Sequence, residues 1–192
     1  MSGYRARGQA NALLGIIRLA RFDARGMAEF GDTTQAFLSS LAPLIAFPLV
    51  GAGLLLVQGS GLDALVEFLG TLCALLAPPV FSHLFAKAWR RDRDWLRYAT
   101  AFNWCQWAVP VALLLLLALA GVLIGLGLPN RIAAFIALGG VGLYALALHW
   151  FVARTGLRLS ILRAVVLVLG VNIATAILVV VPVLLAYSPR ES

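Results

Sequence analysis

Two histidines, His83 and His149, are the side chains in this 192-residue chain whose ordinary titration range suits ligation or proton transfer near neutrality. Each precedes a basic stretch, seven residues before Arg90 and five before Arg154. Helical rise then puts both roughly 7–11 Å from a basic boundary, at similar depth in one leaflet. That geometry permits a bis-imidazole haem b for electron transfer, with His83 and His149 as its ligands. The plainer expectation is two histidines that hydrogen-bond locally. Two imidazoles do not close a tetrahedral zinc site, and Cys105 adds only a third candidate. A second feature is Pro78-Pro79, which removes two amide donors and frees the carbonyls of Ala74 and Leu75. In lipid those carbonyls need protein or water as partners. The pair reads either as a fixed kink that shapes helix packing or as a broken helix at a transporter-like cavity. Glu67, Asn172 and Thr175 are the other polar groups placed to line such a cavity. Glu67 also reads as a first-turn acid favoured by the helix dipole, and Asn172 and Thr175 as groups that bond to another helix.

Catalytic spacings are missing. There is no HExxH, GxSxG or P-loop. Ser82 adjoins His83, but neighbours on a helix do not face each other. No enzyme activity and no cofactor are expected.

The elements that position these residues follow from composition. The chain is 62% hydrophobic and 12% charged, with a mean hydropathy of +0.95. Soluble domains are about half apolar and a quarter charged. This excludes an ordinary water-soluble globule and a disordered chain, and two cysteines without CxxC spacing exclude a disulfide framework. A bilayer core of about 30 Å takes roughly 20 residues of helix. Five stretches qualify: Leu41–Gln58, Leu62–Ala88, Ala101–Leu128, Ile132–Val152 and Leu159–Tyr187. None alternates with the period of a strand. The fold class is therefore all-α and polytopic, with a segment 1–40, a five-helix domain 41–187 and a short tail 188–192.

Charge sets the orientation. Of the fifteen Lys and Arg residues, thirteen fall on one side of the five crossings, leaving Arg131 and Arg190 on the other. The positive-inside rule then predicts a cytoplasmic N-terminus and an external C-terminus. Arginine supplies every basic residue but Lys87, a bias of GC-rich bacterial genomes, so a bacterial inner membrane is the expected location. All five Trp fall near the basic boundary, where amphipathic rings prefer to sit. Before the first span, Asn11–Phe30 reads as an amphipathic helix lying in the membrane plane, or packed on the ends of the spans, with Asp32 as cap of the helix that follows. Gly121 and Gly125, and Ala133 and Ala137, have the spacing of close helix approach within the bundle or between protomers.

The most distinctive stretch interleaves charge and aromatics: Lys87, Trp89, Arg90, Arg91, Arg93, Trp95 and Arg97. Beside two spans, its nearest partners are anionic lipid headgroups, followed by a membrane-protein partner or a second copy; nucleic acid is not expected. From here the chain resembles the Ypt-interacting-protein (Yip) family of small five-span membrane proteins. The resemblance rests on Trp95-Leu96-Arg97-Tyr98-Ala99 after a polar loop, and on Trp107-Ala108-Val109-Pro110 early in span three. It implies a non-enzymatic membrane scaffold with no catalytic residues. The expected function is thus that of a scaffold, accessory subunit or lipid-organising factor. Transport of a small solute or lipid and haem-based electron transfer are the alternatives.

Overall fold

Long apolar runs satisfy their backbone groups in lipid only as helices, and all five predicted spans are helical. The computed structural model describes residues 11–59 and 61–187, without the side chains of 62–64 and 181–187. Arg5, Arg7, Arg190, the tail 188–192 and the side chain of Asp63 lie outside the described residues. The helices are α1 (Ala12–Ala20), α2 (Thr34–Val57), α3 (Gly61–Ala88), α4 (Asp92–Cys105), α5 (Ala108–Gly125), α6 (Asn130–Gly156) and α7 (Ile161–Tyr187). Five stretches are long and apolar enough to cross a membrane, with α4 and α5 together forming the third. The protein is an all-α, polytopic membrane protein.

Boundaries shift where polar residues start helices. Helix α2 begins seven residues before the predicted Leu41. Its cap is Thr33, whose hydroxyl accepts from the Ala36 amide, and not Asp32. The stretch left between the predicted spans, from Ala88 to Ala101, is mostly helix: α3 runs to Ala88 and α4 starts at Asp92, with Asp92 and Asp94 in its first turn, where the helix dipole favours acids. The third span then breaks at Gln106-Trp107. The part after the break, α5, has 18 residues, about 27 Å long and close to one bilayer core.

The predicted 11–30 helix is also broken. Helix α1 ends at Ala20 with Arg21 as its C-cap, and a 3₁₀ segment follows at Ala24–Glu29. Asp23 caps that segment through the Arg25 amide, and the Arg25 side chain bonded to it holds its carboxyl below the usual range. Gly15 and Leu19 of α1 are buried, whereas Leu13 and Ile17 are exposed. The segment therefore packs one face on α4 and α6 and leaves a second apolar face outward. Glycine is required at the crossing. A Cβ on Gly26 would lie 2.8 Å from the Gly15 carbonyl oxygen.

Helices α2 and α3 form one hairpin and α5 and α6 another; α3 packs on α7 and α7 on α6. Helix α4 sits among α1, α2, α3 and α6 at the end that carries the basic residues. Here lies the main core, including Leu19, Phe30, Tyr98, Cys105, Leu148 and Leu157. Asn103 donates to Ser40 within it at 2.9 Å. The far half is open: Leu115 and Phe135 are 68% and 79% exposed. Ala133 and Ala137 pack with Ala120, but a Cβ on Gly121 or Gly125 would meet nothing within 4 Å.

The turns differ at the two ends. At the far end Gly59 and Gly127 take the left-handed conformation. At the basic end Phe22, Arg90 and Arg158 take it, with φ of 51–59°. A residue with a Cβ pays about 1–2 kcal/mol there.

Candidate functional site

Helices α3, α4, α6 and α7 meet around a cavity of about 120 Å³. Pro78 comes from α3; Tyr98, Phe102 and Gln106 from α4; His149 from α6; Asn172 and Thr175 from α7. Four residues singled out in the sequence thus converge. Their hydrogen bonds differ from expectation, however. Asn172 Nδ2 donates to the Val168 carbonyl of its own helix at 2.8 Å, and Thr175 Oγ1 is buried without a partner. His149 Nε2 is likewise buried and unpartnered, with its ring 4.7 Å from that of Phe102. Buried polar atoms of this kind are rare and mark sites of water, strain or ligand. The cavity offers hydrogen-bonding groups from three elements.

The other candidates lie elsewhere. Pro79 and His83 line a separate apolar groove of about 320 Å³ between α2, α3 and α4. The His83 ring meets Trp95 at 4.5 Å. Trp95 of α4 packs against His83 and Phe102 of α4 against His149, and the two histidines line different cavities. Glu67 is exposed on α3 and does not line the cavity at Pro78. Among the described residues no three His, Cys, Asp or Glu side chains gather as a metal site.

The basic–aromatic stretch divides in two. Lys87, Arg90 and Arg93 are exposed, with Arg91 half-buried beside them. Trp95 is a structural residue: its Nε1 donates to Ser82 Oγ at 3.2 Å, and its ring packs on Phe37. Trp89 packs on Phe85. Arg97 turns to Asp32, its Nη2 at 2.7 Å from the carboxylate. Arg93 and Arg97 line a second polar cavity of about 240 Å³, with Asp32, Asp94, Thr155 and Arg158.

Sequence reading missed Tyr98, Phe102, Gln106 and Arg158 as cavity residues. Gln106 carried a signal, an uncharged polar group between Cys105 and Trp107 at the start of an apolar run. Arg158 was visible only as one more charge. Fold and cavities together define a polytopic helical membrane protein with polar material buried toward its basic end. Comparison with protein-family models, curated proteins and solved structures finds no match.

Proposed function

We propose that the protein is a non-catalytic scaffold, accessory subunit or lipid-organising factor that works through its basic end. On this reading it lies in a bacterial inner membrane with that end in the cytoplasm, and its kinship is with the Yip-like five-span proteins. One observation carries the reading. The packed core, the docked N-terminal segment and the exposed cations Lys87, Arg90 and Arg93 all belong to the same end, while the far half offers apolar helix surface. A rigid platform beside lipid headgroups suits docking of an anionic surface or a membrane-protein partner. The test is flotation of the reconstituted protein's complexes with phosphatidylglycerol vesicles, and recovery of co-purifying partners, for wild type and Lys87→Gln/Arg90→Gln/Arg91→Gln. Loss of either association supports the reading; unchanged association with both refutes it. Tags on the two chain ends should report opposite compartments.

A second reading, transport of a small solute, is favoured by the convergence of Pro78, His149, Asn172 and Thr175 on one cavity. In a cysteine-free background, Gln106→Cys should then react with a membrane-impermeant maleimide. Complete protection from both sides would exclude a water-accessible path.

A further inference from the structure

The cavity at the basic end has a chemistry of its own. Arg93 and Arg97 reach it from the first turns of α4 and Arg158 from the turn after α6, against the carboxylates of Asp32 and Asp94. Asp32 is already engaged by Arg97 at 2.7 Å. Among the described residues Arg93 and Arg158 are in no ion pair, so Asp94 alone opposes two guanidinium groups. Arg97 adds a buried Nε without a hydrogen-bond partner. The volume of about 240 Å³ is far above the ~10–15 Å³ one water needs. Arg158 also holds a left-handed backbone that glycine would adopt at less cost, and strain of this kind concentrates at binding sites.

We propose that this cavity binds a phosphate group, with Arg93 and Arg158 as its principal donors and the Asp32–Arg97 pair fixing the third guanidinium beside them. The guanidinium fork matches phosphate oxygens in pairs, which gives geometry as well as charge. Depth allows two sources. Thr155 lies five residues beyond Trp150 on α6, roughly 8 Å farther from the span, where a lipid's phosphate sits if Trp marks the boundary. A free phosphate from solution reaches the same place. The inference rests on the basic end being the working end, but its key residues are not those that test that reading.

Isothermal titration of the full-length protein in neutral detergent at low salt, with inorganic phosphate and with dihexanoyl phosphatidylglycerol as separate probes, decides the matter. Saturable binding of at least one probe is expected. Arg93→Gln/Arg158→Gln should weaken it by about tenfold or more. Arg131→Gln, which removes one exposed charge at the far end of the bundle, should change it by less than about threefold. Ala28→Glu, which adds a carboxylate at an exposed lining position, should also abolish binding and covers the case in which the arginine variant does not fold. Binding of the lipid alone assigns the site to a headgroup; binding of inorganic phosphate with competition against the lipid assigns it to a free phosphate. Absence of saturable binding to both probes, or wild-type affinity in the arginine and Ala28→Glu variants, overturns the proposal. So does an equal loss in Arg131→Gln.

Discussion

The two halves of this bundle are built on different rules. At the basic end, helices meet through buried side chains, glycine crossings and specific hydrogen bonds, as in a small soluble domain. At the far end, the α2–α3 and α5–α6 hairpins present leucines and phenylalanines outward, and glycines such as Gly121 face open space. Lipid tails are as apolar as leucine, so burial stabilises little there. The halves also close their turns differently, with glycine at the far end and with Phe22, Arg90 and Arg158 at the other. At Phe22 packing offsets the strain: its ring lies 5.4 Å from that of Phe151.

The contrast is sharpest for leucine. Leu19→Ala should destabilise the basic end by about 2–5 kcal/mol, and Leu115→Ala the far half by less than about 0.5 kcal/mol. The chain carries its own reporters for a thiol-reactive dye during thermal unfolding: Cys105 is buried in the core and Cys73 is exposed on α3. Equal effects of the two leucine substitutions on Cys105 labelling would erase the distinction. Gly26→Ala comes next, at about 1–3 kcal/mol from overpacking against the Gly15 carbonyl, whereas Gly121→Ala should be neutral or stabilising in the same melt. Asn103→Ala should cost about 1–2 kcal/mol by leaving Ser40 without its donor, and Ser40→Ala in the same background should recover part of that loss. The smallest effect has the opposite sign. Arg90→Gly should raise stability by roughly 0.5–1 kcal/mol, the relief of its left-handed strain exceeding the entropy glycine adds to the unfolded chain. A lower melting temperature for that variant would mean that the Arg90 side chain holds the turn in place.

The spans were legible because hydropathy is local: Pro129 and Gly59 mark turns, and the apolar runs between them became helices. The basic end was less legible because its organisation is set by pairs far apart in sequence. Asp32 has the residue type of a cap, and nothing near it in the chain announces Arg97, 65 positions on. Asn103 reads as a polar residue beside a span until Ser40 is placed against it. For α4 the cue was present and outweighed: Asp92 and Asp94 are first-turn acids, but the surrounding arginines gave the stretch the look of a loop. The cavity at Pro78 was half legible. Proline pointed to it, while His149 arrives from α6 and was weighed as a local hydrogen-bonding group or a haem ligand, not for this cavity.

The phenol of Tyr144 donates to the Ala20 carbonyl across 124 positions, and Met27 and Tyr98 both press on Gly156. During vectorial synthesis residues 11–30 emerge long before the α6 segment that completes their packing. Their contacts with α4 can form once the third crossing is made, and those with α6 only after the fourth. Docking of this segment is therefore finished late in biogenesis. A ribosome stalled before residue 144 should leave residues 11–30 more open to proteases than they are in the released full-length chain.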